Sequence, residues 1–317
     1  MIDQTTTRHI LRGQDFTPEL LGLLFARADE HMKALGDPKK IAALQERGKG
    51  AHVFTLFYEP STRTRLSFET AAHNLGLGVI GTENAREFSS ASKGETIEDT
   101  IRVLNQYRPA AIVMRHHEEG AAERAAAVSD IPIINGGDGR GQHPTQALLD
   151  LYTIKTELGR TDNLRVIIGG DLANGRTGRS LVYLLSKFAK VHFTFVAPES
   201  LEMAHDIKDH LTEHGLTYDE TRELDGVLAD ADVVYWTRVQ KERLAEGVDY
   251  ETVSKQYEIG AEHLAKMKPE SIIMHPLPRV NEIKAEVDGD KRAAYFRQAG
   301  YGLPIRMALY EWALGFI

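Results

Sequence analysis

The sequence predicts an α/β protein of two similar domains, each a mostly parallel sheet flanked by helices. Three observations lead there. Short apolar runs alternate with helical stretches between residues 52 and 154, the rhythm of strand, crossover helix and parallel strand. The pattern starts afresh after Gly159 and Asp162 and continues through residue 274. A chain of 317 residues, 42% of them hydrophobic, also suffices for two cores of ordinary size.

In order along the chain, Thr17 is suited to cap an amphipathic helix carrying Leu20, Leu21, Leu24, Phe25 and Ala28, ending before Gly36. A turn at Gly48 and Gly50 leads into an apolar strand over 52–57, which Pro60 stops; Ser61 then caps a helix running through Leu75. Gly76 and Gly78 close that helix before a short strand, 79–80. Residues 83–94 read as a polar loop, of a length that tends to be functional. A helix over 95–107 carries Ile97, Ile101 and Leu104 on one face, and a strand over 110–114 delivers Arg115 at its end. A short Ala-rich helix, 120–128, precedes a strand over 131–134 and a Gly-rich loop over 135–142. His143 and Pro144 then open a long helix, with Pro144 where its missing N–H costs nothing. The second half follows the same plan, with strands over 164–169, 191–196, 233–236 and 271–274, helices over 181–189 and 201–214, and a closing helix over 293–314.

Parallel sheets bind ligands at the C-terminal ends of their strands. In the first half Ser61 to Thr64, Arg115, and His143 with Gln146 all fall there. The run Ser61-Thr62-Arg63-Thr64 reads as an anion socket. A helix starting at Ser61 offers its first N–H groups and positive dipole end, three hydroxyls add neutral donors, and Arg63 adds a fork that matches phosphate oxygens. Arg65 points ~200° away and has Glu69 one turn later, so it reads as an ion pair on the helix flank. In the second half, the turn containing Arg176 and Thr177 is neither G-x-G-x-x-G nor a P-loop, and suits a small anion better than a dinucleotide.

Composition excludes several classes. The net charge of −8 argues against a nucleic-acid partner held by a general basic surface, so an anion must be met by local Arg and Lys clusters. Zero cysteines removes disulfides and thiolate metal sites and fits a cytoplasmic protein. The 13 histidines show no helical metal-ligand spacing, and adjacent His116 and His117 should diverge; no metal and no cofactor is expected. No apolar run after the N-terminal charges suggests a signal peptide, and none approaches the ~20 residues of a membrane span.

The chain resembles the carbamoyltransferases, and within them the aspartate branch. The matching stretches are Ser61-Thr-Arg-Thr-Arg65, Ser92-Lys-Gly-Glu-Thr96, Met114-Arg-His116, His143-Pro-Thr-Gln146, Gly170-Asp-Leu172 with Gly175-Arg-Thr177, Thr237-Arg-Val-Gln-Lys-Glu-Arg243 and His275-Pro-Leu-Pro-Arg279. They run almost end to end in the family's order. Thr237 to Arg243, and Leu277 where ornithine enzymes usually carry a Cys-containing motif, resemble the aspartate branch.

The resemblance implies transfer of a carbamoyl group from carbamoyl phosphate to L-aspartate, an early step of pyrimidine synthesis. It implies a first domain of residues 1–148 and 295–317 that binds carbamoyl phosphate, to which the C-terminal helix returns, and a second of 149–294 that binds aspartate. Carbamoyl phosphate would meet Ser61, Thr62, Arg63, Thr64, Ser89, Arg115, His143, Gln146, Pro276 and Leu277. Aspartate would meet Lys93, Arg176, Thr177, Arg238 and Gln240. By the same resemblance Thr64, Arg115, His143 and Lys93 would carry the catalytic roles, with His143 a neutral donor and the departing phosphate the proton acceptor. The family is a trimer whose sites are shared, so Ser89 and Lys93 would serve a neighbouring chain; a regulatory chain or multienzyme partner is a further expectation of the family. Ser92 stands where a second Lys is common, and Glu123 where a basic residue is often found.

Overall fold

The computed structural model describes residues 7–239, 250 and 255–317. It divides into two compact units, residues 1–146 with 301–317, and residues 147–300.

In the first unit Thr17 accepts from the Leu20 N–H and caps α1 (Pro18–Ala34), whose Leu21, Leu24, Phe25 and Ala28 are buried. A helix absent from the sequence reading follows, α2 (Pro38–Gln45), capped by Asp37 and begun by Pro38. Strand β1 (His52–Phe57) leads to α3 (Thr62–Asn74) and β2 (Gly78–Thr82). The expected polar loop is partly helical: it holds α4 (Ala85–Phe88) and a 3-10 turn over Ser90–Lys93. Then come α5 (Ile97–Gln106), β3 (Ala111–His116), α6 (Ala121–Ala127), β4 (Ile133–Asp138) and the start of α7 (Pro144–Leu158). Arg115 lies inside β3 rather than after it, and β4 takes in part of the expected Gly-rich loop.

These strands form an all-parallel sheet in the order β2-β1-β3-β4. Phe54, Ile112, Met114 and Ile133 are buried in its core, as parallel sheets covered on both faces require. The outer edge of β4 is covered by Ile10, which bridges to Ile134. The other edge strand is β2, where Ile80 is 59% exposed.

The second unit continues with β5 (Arg165–Gly169), α8 (Arg176–Leu185), β6 (His192–Val196), α9 (His205–Glu213) and β7 (Thr217–Thr221). After β8 (Val233–Trp236) come α10 (Ala261–Leu264), β9 (Ile272–Met274) and the first turns of α11 (Tyr295–Ala313). All pairs are again parallel, in the order β7-β6-β5-β8-β9, over a core built around Trp236, Tyr257 and Tyr295. The remainder of α11 packs on the first unit: Tyr310 meets Phe68 edge-on at 5.7 Å, and the Arg306 guanidinium lies 5.0 Å over the Phe68 ring. Buried Glu311 accepts from Arg27, Arg47 and His31.

Candidate active site

In each sheet the chain turns outward from a central strand in both directions, which opens a crevice at the C-terminal strand ends. In the first sheet that point lies between β1 and β3. Ser61, extended at φ −156°, is the N-cap of α3, and Thr62, Arg63 and Thr64 form its first turn. The Ser61 side chain makes no capping bond, contrary to the sequence reading, and no acidic residue stands in the turn. Thr62 and Arg63 are exposed and Thr64 is buried. Desolvation lowers the Arg63 pKa even though the side chain as a whole is exposed; a guanidinium lowered from so high a value stays charged. Arg65 pairs with Glu69 at 3.4 Å, as its spacing predicts, and also with Glu83 at 3.3 Å.

Beside this turn, Phe57 pairs with Arg115 across the sheet, and the Tyr58 N–H donates to the Arg115 carbonyl at 2.8 Å. The Arg115 guanidinium donates to the Gly136 carbonyl at 3.2 Å and pairs with Glu59 at 3.3 Å. A Cβ on Gly136 would lie 3.5 Å from the Thr64 methyl and 3.8 Å from the Arg115 Cβ, so these residues converge on one spot. His143 is buried just before α7, and its carbonyl accepts from the half-buried Gln146. The segment that leads to His143 is organised by Asp138, a buried carboxylate that spacing did not single out. It accepts from Gly120 N–H and Gln142 N–H, both at 2.8 Å, and from Asn135 at 3.2 Å.

Ser89 and Lys93 lie on the polar segment after β2. The Ser89 hydroxyl donates to the Ala85 carbonyl and accepts from the Ala91 N–H, while Lys93 is exposed. Glu123 is 3.6 Å from Arg12.

In the second sheet the outward turn lies between β5 and β8. The helix after β5 starts at Arg176, five residues earlier than expected, so Arg176 and Thr177 sit half-buried in the first turn of α8. Buried Asp171 shapes the approach by accepting from the Asn174 N–H at 3.0 Å. Gly170, at φ +100°, admits no side chain, since a Cβ would lie 2.1 Å from the Thr237 carbonyl oxygen. Arg238 follows β8 directly after Thr237, whose hydroxyl and N–H both donate to the Gly169 carbonyl at 2.9 Å. Gln240 lies outside the described residues, as do Lys241 and Arg243.

Pro276 and Leu277 follow β9, the neighbour of β8. Leu277 adopts φ +54°, unusual for a side chain of its kind, and its N–H donates to His275 Nδ1 at 2.8 Å. His275 Nε2 meets Glu282 at 2.9 Å, and the second Glu282 oxygen accepts from the Val280 and Asn281 N–H groups, each at 3.0 Å. A buried carboxylate thus holds this turn in shape.

Among the described residues, one group of possible metal ligands converges: His116, His117 and Glu118 bring their atoms within 4.8 Å of one another. The two histidines do not diverge as expected; their rings stack at 4.4 Å. Burial, then the neighbouring His117, pushes the His116 pKa down to about 4. Its Nδ1 already accepts from the Glu118 N–H at 3.0 Å, and Glu118 is paired with Arg124 at 2.7 Å.

Residues 8–156 match the family model for the aspartate/ornithine carbamoyltransferase carbamoyl-P binding domain, and residues 162–313 the model for the Asp/Orn binding domain. The chain is 54% identical over 306 residues to a chloroplastic aspartate carbamoyltransferase of Arabidopsis thaliana, a match that spans 96% of this chain and 77% of the relative. It is 45% identical to the aspartate carbamoyltransferase catalytic subunit of Methanocella arvoryzae, covering 97% of each. Among solved structures it resembles the catalytic subunit of M. jannaschii aspartate transcarbamoylase, with TM-score 0.87, 44% identity and coverage of 96% and 97%. The Trypanosoma cruzi aspartate transcarbamoylase in complex with carbamoyl phosphate and aspartate gives TM-score 0.87 at 37% identity, covering 96% of each chain. The expectation of a cytoplasmic location is overturned by the plant relatives, which are named chloroplastic at 51% to 54% identity. With both halves matched in order, the chain belongs to the aspartate/ornithine carbamoyltransferase family.

Proposed function

We propose that residues 1–148 with 295–317 bind carbamoyl phosphate, that residues 149–294 bind L-aspartate, and that the named side chains divide the work accordingly. The chain transfers the carbamoyl group of carbamoyl phosphate to L-aspartate, giving N-carbamoyl-L-aspartate and phosphate in pyrimidine synthesis. The observation that carries the division is the pair of helix starts, each at the crevice of its own sheet and each bearing an arginine in its first turn with no side-chain cap. At Arg63, where no acidic residue stands in the first turn, the guanidinium opposes the helix dipole until an anion joins it.

The phosphate is held by the N–H groups and side chains of Ser61 to Thr64 together with Arg115, Ser89 adding a hydroxyl. The aspartate amine attacks the carbonyl carbon, the C–O bond to phosphate breaks, and the phosphate leaves with the electron pair and takes the amine's proton. Charge building on the carbonyl oxygen meets Thr64, Arg115 and His143, the last as a neutral donor. The carbamoyl NH2 donates to Gln146 and to the carbonyls of Pro276 and Leu277. The two aspartate carboxylates are met by Arg176 and Arg238 with Thr177, Gln240 and Lys93. An ornithine acceptor would want carboxylates where this unit offers arginines.

We read the active form as a homotrimer in which Ser89 and Lys93 serve a neighbouring chain. Supporting this, β2 is the open sheet edge, and Ile80 on it and Phe88 just beyond it are 59% and 79% exposed.

The test is a pair of variants in a steady-state assay. Arg63→Ala raises the KM for carbamoyl phosphate, and Arg238→Ala raises the KM for aspartate, each by roughly 10- to 100-fold, the worth of a charge-assisted bond. Equal small effects on both substrates from both variants would remove the assignment.

A further inference from the structure

In the second unit, the turn after β9 is held by groups outside it. Leu277 keeps a φ of +54°, where a leucine is strained, and its N–H donates to His275 Nδ1 at 2.8 Å. That bond directs a carbonyl as well. The Leu277 N–H and the Pro276 carbonyl belong to one planar trans peptide and point in opposite directions, so pinning the first on His275 turns the second away from it.

Two carboxylates set where His275 stands. Because its Nδ1 accepts, the neutral ring carries its proton on Nε2, which donates to Glu282 at 2.9 Å. Its backbone N–H donates to the Gln298 side-chain carbonyl on α11 at 2.9 Å, and the Gln298 amide donates to Asp150 on α7 at 2.6 Å. Gln298 cannot be flipped in this chain. A backbone N–H only donates and an ionised carboxylate only accepts, so Gln298 presents its oxygen to His275 and its NH2 to Asp150. All three side chains are buried, and Gln298 lies 148 residues from Asp150, so no local structure explains their meeting. Asp150 also accepts from the Tyr235 hydroxyl at 2.8 Å, a bond that steadies the carboxylate without passing through His275.

We propose that Gln298, oriented by Asp150, is a positioning residue for the carbamoyl amide: it holds His275 so that the Pro276 carbonyl faces the NH2 of carbamoyl phosphate, and so helps select that substrate over acyl phosphates that lack the NH2. This rests on the assignment of Pro276 proposed above. Apolar side chains of the same volume often pack as stably as a buried charge and its partners. Stability alone therefore does not account for an acid and an amide here, whereas fixing the direction of one carbonyl does.

The probe is acetyl phosphate, which sets a methyl where carbamoyl phosphate has its NH2 and leaves a waiting carbonyl unpaired. Its inhibition constant as a competitor, divided by the carbamoyl phosphate KM, measures discrimination; a site built to meet the NH2 should give at least about 100 in the wild type. Gln298→Met removes both bonds of the amide. It is expected to lower that ratio about tenfold by raising the carbamoyl phosphate KM, while the inhibition constant of inorganic phosphate stays within about twofold. Tyr235→Phe takes a different donor from the same buried carboxylate and is expected to leave the ratio within about twofold of wild type. Should Gln298→Met fail to fold, Gln298→Asn, an amide one methylene short of spanning both partners, is expected to lower the ratio in the same way. All variants are assayed as the purified full chain, with melting temperature measured alongside.

An unchanged ratio in the Gln298 variants of a discriminating enzyme would overturn the proposal and leave the site as assigned. So would a rise of the inorganic phosphate constant in step with the carbamoyl phosphate KM, or an equal loss of discrimination in Tyr235→Phe, since either marks a general loosening of the structure. A wild type that does not discriminate would show that the Pro276 assignment itself has failed, and the proposal with it.

Discussion

Arg63 and Glu311 show opposite uses of charge. Arg63 stands in the first turn of α3, against the helix dipole and with no acidic residue in that turn. An added anion relieves that arrangement, so binding should register as stability. Inorganic phosphate at about 100 times its dissociation constant is expected to stabilise the folded chain by roughly 2.7 kcal/mol, with a melting temperature that rises accordingly. In Arg63→Ala most of that rise disappears. Glu311 is a completed site: burial pushes its pKa up, but bonds from Arg27 and His31 outweigh this and bring it down to about 2. A carboxyl depressed in the folded state stabilises above its unfolded pKa, near 4.5, and loses that contribution as pH falls toward about 2. The shift corresponds to roughly 3 kcal/mol. Denaturant melts between pH 6 and pH 3 should show that loss in the wild type, and Glu311→Gln should be less stable at pH 6 with a flatter profile.

At the scale of elements, the turn after β9 depends on one carboxylate. Removing it in Glu282→Ala leaves His275 and the Val280 and Asn281 N–H groups without their buried acceptor. A loss of about 3 kcal/mol is expected in urea melts, the scale set by unmet buried donors, together with a raised carbamoyl phosphate KM if Leu277 meets that substrate. Most elements were legible because apolar periodicity and helix-start residues agree, as at Thr17 before α1 and over 52–57 for β1. Others were not. Strand β7 is Thr-Tyr-Asp-Glu-Thr, with every residue exposed or half-buried, and only its pairing with β6 makes it a strand. The start of α8 was hidden because Gly175 caps it without a side chain. By contrast α2 carried a readable signal, Asp37 followed by Pro38, that its weak apolar face obscured.

For the whole molecule, the family's motifs were legible as short runs, and both halves match in order. The supports behind those runs were not. Asp150 acts on groups 85 and 148 residues away, which spacing along the chain cannot announce, while Asp138 and Glu282 hold mostly local turns whose shape no periodic pattern marks. The shared-site reading makes its own prediction. Lys93→Ala and His143→Ala, each nearly inactive, should recover measurable activity when dissociated, mixed and reassembled, because some sites then combine two intact contributions; no recovery in confirmed trimers would leave each chain with its own loop. The central claim, that the second unit is built for a dicarboxylic acceptor, is tested most directly by measuring carbamoylated product from carbamoyl phosphate with L-aspartate or with ornithine as acceptor. N-carbamoyl-L-aspartate formed at a saturable rate, with no product from ornithine, is the predicted result. Product from ornithine and none from aspartate would contradict it.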